Sequence, residues 1–275
     1  MRSGLKDKVI LVTGASGGIG AGTVRLFAAE GARLVLHYHT RKREVVRLQR
    51  QLSGSRSVAI SADLTREEEV TALFAQAGAA FGRLDTLVAN AGIWVEQPVP
   101  LHEMTLNQWQ QTLAADLTSV FLCCREFFRL VEKQKRGNVV LVGSTAGIFG
   151  EAGHADYAAA KSALAYGLTR TLKNEISRLA PHTARYCGGR VNCVCPGWTI
   201  TPLTKSRLQD AGLIRSATAT MALPQMARVQ DIAQTIVFLA SDVLARHITG
   251  QTVTVAGGME GRLLWQHGEV DVNIV

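Results

Sequence analysis

Three side chains in this sequence have the types and spacing for proton chemistry on a carbonyl or an alcohol: Ser144, Tyr157 and Lys161. Tyr157 and Lys161 stand four apart in a stretch of helix formers, so a helix there puts both on one face. A free phenol has a pKa near ~10 and is a poor acid–base group at neutral pH. An ammonium one turn away favours the phenolate and draws that value down. Ser144 follows the apolar, β-branched run Asn138-Val-Val-Leu-Val-Gly143, which reads as a buried parallel strand. Its hydroxyl then stands at a strand's carboxyl end, where open α/β sheets place their ligands, and can hydrogen-bond the same substrate oxygen as the phenol.

A Tyr-x-x-x-Lys preceded thirteen positions earlier by Ser, in this strand–loop–helix setting, resembles the short-chain dehydrogenase/reductases. A second motif carries the same resemblance. Residues 8–13, Lys-Val-Ile-Leu-Val-Thr, read as a buried strand, followed by Gly14-Ala-Ser16-Gly-Gly18-Ile19-Gly20 and an amphipathic helix to about residue 30. Strand, glycine turn and helix in that order make a pyrophosphate site, because backbone approach wants residues without Cβ and the helix start offers free N–H groups. The spacing matches the family's Thr-Gly-x-x-x-Gly-x-Gly rather than the general Gly-x-Gly-x-x-Gly. Asn90-Ala91-Gly92, closing a fourth strand at 86–90, matches its Asn-Ala-Gly motif. The resemblance covers about residues 5–258, and Asn192 within Arg-Val-Asn and the Ile248-Thr-Gly ending look most like the 3-oxoacyl-carrier-protein reductases.

The resemblance implies roles for further residues. Asp63, with Leu64 at the end of a third strand at 57–61, would meet the adenine; Pro196, Gly197, Thr199 and Thr201, after a sixth strand at 190–195, would meet the nicotinamide. Lys161 would also bind ribose hydroxyls. Asp116 stands where relatives usually carry an Asn that kinks a long helix, so that its main-chain carbonyl holds a water joined to the catalytic lysine. It joins the expected catalytic set as a departure from the pattern.

The elements that must position these residues alternate. Strands at 8–13, 33–37, 57–61, 86–90, 138–142, 190–195 and 249–255 are separated by helical stretches, which argues for an α/β fold with a doubly wound parallel sheet of seven strands. The long helices span about 106–133 and 157–179, Thr65 and Glu68 form a capping box for the helix after the third strand, and 180–189 reads as a surface excursion. Residues 203–224 cover substrate in relatives. One domain spans 1–258, and 259–275 is a tail, packed on its own subunit or reaching a neighbour.

Composition bounds the rest. At 275 residues, 47% hydrophobic and 19% charged, the chain is long enough for one large α/β domain with a full core. No apolar run approaches a membrane span, and the start runs straight into a strand without room for a signal peptide. Five cysteines without paired Cys-x-x-Cys hooks favour neither a disulfide framework nor a metal, which points to the cytoplasm. The net charge of +8 is scattered and poor in interleaved aromatics, so it reads as a solvated surface able to attract an anionic ligand rather than as a nucleic-acid or membrane face.

Cofactor and substrate follow from local chemistry. Where NAD specificity wants a carboxylate at the end of the second strand, this chain has Tyr38, then His39, Thr40, Arg41 and Lys42; nothing there repels a 2′-phosphate, Arg41 can hold it, and NADP(H) is expected over NAD(H). Trp94, Ile148, Phe149, His154, Trp198 and Leu203 are the expected substrate pocket, suited to a medium-sized ketone or alcohol, an acyl thioester among them. Phe121, Phe127, Phe128, Leu164, Tyr166 and Leu168 make the two long helices apolar enough to pair subunits, as they do in relatives, so a homodimer or rather a homotetramer is expected. The rival reading is a non-catalytic cofactor-binding protein on the same fold.

Overall fold

A computed structural model describes residues 3–52, 54–265 and 267–270. The short β-branched runs become strands, the central ones buried on both faces as parallel sheets require and the two edge strands partly open to solvent: β1 (Val9–Val12), β2 (Arg33–Tyr38), β3 (Ser57–Ser61), β4 (Thr86–Ala89), β5 (Asn138–Val142), β6 (Arg190–Pro196) and, after a two-stranded ribbon of β7 (Thr199–Ile200) and β8 (Ala227–Arg228), β9 (Thr252–Val255). The main sheet is wholly parallel, in the order β3-β2-β1-β4-β5-β6-β9. Its order reverses between β1 and β4, and that switch point opens a crevice at the strands' carboxyl ends.

Alternate residues of each strand feed two cores. Val9, Leu11, Leu87, Leu141 and Cys193 face one layer, which contains α3 (Glu67–Phe81), α5 (Ser119–Gln134) and α8 (Thr169–Leu179). Ile10, Val12, Val88, Val140 and Val194 face the other, made by α1 (Gly18–Ala29), α2 (Lys42–Gln51) and α10 (Val229–Ala240). Among the described residues, no helix is long and apolar enough to cross a membrane.

Several expectations change in detail. The first long helix is α4 (Leu106–Leu113), a π-helical turn Ala114–Thr118, then α5; the second is α7 (Ala155–Ser162), a π segment Ala163–Leu168, then α8. A short α6 (Ala146–Phe149) precedes the second, and α9 (Ala211–Thr218) lies in the stretch expected to cover substrate. The capping box at Thr65 does not form: the Thr65 hydroxyl donates to Asp63, and Glu69 instead accepts from the Asp63 N–H. The 180–189 excursion is pinned rather than loose, because the Tyr186 hydroxyl donates to the Gly137 carbonyl at 3.0 Å and accepts from its N–H at 2.9 Å. Of the six apolar residues expected to pair subunits, Phe127 and Leu164 are fully buried and Phe128 and Leu168 pack on the core, leaving Phe121 and Tyr166 exposed at 47% and 36%. In the tail, Met259 is buried beside Met221 and Ala256. Residues 1–2 and 53 of the expected domain, and 266 and 271–275 of the tail, lie outside the described residues.

Candidate active site

The crevice begins with a clamp between β1 and β4. Thr13 Oγ1 accepts from the Asn90 and Ala91 N–H groups at 2.9 Å each, and Asn90 Nδ2 donates back to the Thr13 carbonyl at 2.9 Å. Gly14 takes φ +64°, and a Cβ at Gly20 would collide with the Gly14 carbonyl, so the turn closes only with glycine at these two places. The turn is also held by a residue the sequence reading passed over. His37, buried at the end of β2, accepts the Gly14 N–H on Nδ1 at 3.1 Å, and its Nε2–H donates to the Ala62 carbonyl at 2.9 Å. Burial pulls its pKa down to about 4, which keeps the ring neutral and the acceptor available. A histidine inside an otherwise apolar strand was the available signal.

One cavity of about 430 Å³, within the range of small-molecule sites, runs along this crevice. Its wall includes Gly14, Ser16, Gly18, Ile19, Gly20, Thr40, Arg41, Asn90, Ala91 and Gly92 on one side, and Pro196, Gly197, Thr199 and Thr201 on the other. His39, Thr145, Pro202 and Thr204 line it as well, without having been expected. Tyr38, Asp63 and Leu64 do not line it. The side chains of Tyr38 and Leu64 are buried in the core, and the Asp63 carboxylate is engaged locally by the Thr65 N–H and hydroxyl. No carboxylate therefore enters the wall from the end of β2, where Thr40 and Arg41 stand instead.

Ser144, Tyr157, Lys161 and Asp116 meet in the same cavity. Asp156 docks the start of α7 against α4: its carboxylate accepts from the Thr112 hydroxyl at 2.7 Å, Gln108 Nε2 at 3.2 Å and the Tyr157 N–H at 2.8 Å. Lys161 Nζ lies 5.5 Å from the centre of the Tyr157 ring, 3.0 Å from Asp116 Oδ1 and 3.3 Å from the Val142 carbonyl. The π turn places Asp116 at zero exposure, where it also accepts the Ile93 N–H at 3.2 Å. Burial pushes Asp116 up against the pull of Lys161; burial pushes Lys161 down, but Asp116 and Tyr157 more than offset it, so the ammonium is held. The Tyr157 phenol goes up rather than down. Burial outweighs Lys161 and the Ser144 hydrogen bond, and the Asp116 and Glu151 carboxylates add to the rise. Lys161 lowers the phenol as expected, but the net shift is upward.

The other end of the cavity is aromatic. Trp94 stacks on His154 at 5.2 Å and meets Trp198 edge-on at 5.9 Å; Trp94, Trp198 and Leu203 line the wall, with Ile93 beside them. His154 stands behind Trp94, its Nε2 on the Val95 carbonyl at 3.0 Å, and does not line the cavity. Ile148 packs on the core, and Phe149 is exposed outside the wall, because α6 turns the one inward and the other out. Glu151 and Arg262 line the cavity as well, the latter from the tail. Among the described residues no cluster of His, Cys, Asp or Glu suited to a metal occurs.

A strand-one glycine turn, a β4 Asn-Ala-Gly and a Ser, Tyr and Lys on one cavity define a class. The chain belongs to the short-chain dehydrogenase/reductase family: the family model described as Enoyl-(Acyl carrier protein) reductase matches residues 14–260. It is 38% identical over 262 residues to the cis-4-hydroxycyclohexanecarboxylate dehydrogenase of Sinomonas cyclohexanicum, covering 94% of this chain and 98% of that one. It is 35% identical over 257 residues to a 3-oxoacyl-[acyl-carrier-protein] reductase of Synechocystis sp., covering 93% and 98%. A solved short-chain dehydrogenase/reductase from Brucella melitensis, described as a glucose/ribitol dehydrogenase, superposes with TM-score 0.82 at 32% identity, covering 94% of this chain and 99% of that one. The chain is thus an oxidoreductase of the dehydrogenase/reductase class, acting on CH–OH or C=O groups in a family that uses a nicotinamide cofactor.

Proposed function

We propose that this enzyme is an NADP(H)-dependent reductase of a ketone, or in reverse a dehydrogenase of a secondary alcohol. The observation that carries the reading is the shared cavity: Ser144, Tyr157 and Lys161 face the same space as the glycine turn of β1. The turn residues Gly14, Ser16, Gly18, Ile19 and Gly20 would take the pyrophosphate, Thr40 and Arg41 the 2′-phosphate, and Asn90, Ala91, Gly92 and Lys161 the sugar nearer the reacting end. Pro196, Gly197, Thr199 and Thr201 would hold the nicotinamide. Bound there, the cofactor supplies or accepts hydride; position and electrostatics are the protein's part. Tyr157 gives the proton to the substrate oxygen during reduction and takes it during oxidation. Ser144 donates a hydrogen bond to that oxygen and keeps it beside the phenol. Lys161, held as ammonium, favours the phenolate against burial, and Asp116 tempers it.

The absence of a carboxylate beside Arg41 supports NADP(H). The aromatic end supports a medium-sized substrate. An acyl thioester stays within the reading, as does a ring alcohol carrying a carboxylate, the substrate named for the Sinomonas relative. Lys133, Lys135, Arg136, Arg170, Lys173 and Arg178 read first as solvated helix faces and second as a landing site for an acidic carrier; Arg136 and Arg170 already lie over the Tyr186 and Tyr166 rings. We place the enzyme in the cytoplasm as a homotetramer of single-domain subunits spanning residues 1–258, its five thiols free as a reducing compartment would keep them.

Two measurements test the reading. Fluorescence titration is expected to show tighter binding of NADPH than NADH, with the preference falling about tenfold or more in Arg41→Gln; tighter NADH binding overturns the cofactor assignment. Single-turnover oxidation of bound NADPH by ketones and an acetoacetyl thioester is expected with at least one of them, and none at all would favour a non-catalytic binding protein.

A further inference from the structure

Besides Lys161 and Asp116, the cavity wall holds a second pair of opposite charges, Glu151 from the loop before α7 and Arg262 from the tail. The other cations in the wall are committed elsewhere: Lys161 pairs with Asp116, and Arg41 stands past the end of β2. Arg262 lies two residues beyond the stretch that the family model matches. Its Nε–H donates to the Gly150 carbonyl at 2.6 Å, which anchors the guanidinium from one side. The approach to Glu151 is 3.9 Å, too long for a hydrogen bond. The two charges balance each other while the outer guanidinium donors remain unspent on Glu151. Both side chains are largely buried, at 21% and 14% exposure, where an unmatched charge is costly.

We infer that Arg262 is a specificity-determining residue that binds a carboxylate on the substrate, with Glu151 setting the penalty for an anion that Arg262 does not meet. A planar guanidinium offers paired donors to a carboxylate, and Trp94, Trp198 and Ile93 line the same cavity, where they can cover an apolar body. Arg262, Glu151 and Tyr157 line one cavity of about 430 Å³, which suits a small molecule rather than a long acyl chain. The reaction stays that of the proposed function, on which this inference rests: a bound nicotinamide cofactor would supply the hydride to the carbonyl carbon, Tyr157 gives its proton to the oxygen, and the carboxylate is unchanged.

The test compares 4-oxocyclohexanecarboxylate with its neutral methyl ester as substrates, reading the ratio of their kcat/KM values in each variant. Arg262→Gln is expected to lower the carboxylate-to-ester ratio on the order of tenfold to a hundredfold, mainly through KM, because the carboxylate then faces Glu151 alone. Glu151→Gln is expected to raise the ratio, and Arg262→Lys to restore part of what Gln loses. A structural tail anchor would change both substrates in parallel, and that result overturns the inference, as does a ratio of equal direction in Arg262→Gln and Glu151→Gln. If Arg262→Gln fails to fold, the opposite movement of Glu151→Gln and the partial loss in Arg262→Lys decide it. Wild-type turnover of the ester with no dependence of the ratio on Arg262 defeats this inference alone, whereas turnover of neither ketone, nor of the thioester, defeats the function beneath it.

Discussion

Asp116 puts a carboxylate, fully buried, 3.0 Å from the ammonium that serves Tyr157. An amide at that place would still offer one oxygen to Lys161 and to the Ile93 N–H, but without the charge. The carboxylate holds Lys161 protonated and at the same time raises the Tyr157 phenol, so the phenolate needed for alcohol oxidation forms at higher pH than it would beside an amide. Asp116→Asn removes a negative charge from the phenol's surroundings and frees the Lys161 charge to act on it. The acidic limb of kcat for alcohol oxidation is therefore expected to move to lower pH, by about one unit. Overlapping profiles for the two proteins would show that the carboxylate only copies the amide's geometry; a dead natural protein revived by Asn would favour the non-catalytic rival.

At the scale of elements, β2 and the glycine turn depend on a neutral His37. Its pKa of about 4 lies below the ordinary 6.5, so the folded state binds fewer protons there than the unfolded chain in the window between those values. The stabilisation is complete above the unfolded value and is lost as pH falls toward the folded one. Wild-type unfolding free energy is expected to drop between pH 7 and pH 5 by roughly 2 kcal/mol more than that of His37→Gln. Urea melts at the two pH values measure this, and equal drops would mean that His37 does not carry the protonation linkage. The π turn at Ala114–Thr118 is the other decisive local feature, since it turns Asp116 toward Lys161 inside one continuous helix. Nothing in Leu-Ala-Ala-Asp-Leu-Thr distinguishes a π turn from an α turn by propensity; the ion pair and the Ile93 N–H, both distant in sequence, make the difference.

For the whole molecule the open question is what covers the outer faces of the long helices. Those faces leave Leu106, Phe121 and Tyr166 to solvent at 69%, 47% and 36% exposure, the two rings each with an arginine over them. Burial against another subunit would remove that surface from water, and closed symmetry would repeat the contact. Light scattering at micromolar concentration is expected to return a tetramer mass, and Phe121→Lys to shift it toward smaller species while cofactor binding is kept. A monomer mass for the natural protein would refute the assembly.

The strands were legible because parallel strands buried on both faces leave unbroken apolar runs, and such runs survive without knowledge of their neighbours. Ser144, Tyr157 and Lys161 were legible for a related reason, since helix period and a strand's end place them almost by themselves. The glycine turn was equally local: φ at Gly14 and the missing Cβ at Gly20 answer to residues a few positions away. Tertiary structure alone brought His37 under the turn, sent Phe149 and Ile148 out of the pocket and reversed the direction of the Tyr157 shift. Burial caused that reversal, and burial belongs to the packed molecule rather than to a spacing. Arg262 shows the limit most clearly. It meets the Gly150 carbonyl across 112 positions, through a tail with no periodic pattern, and only the folded chain could set it in the cavity wall.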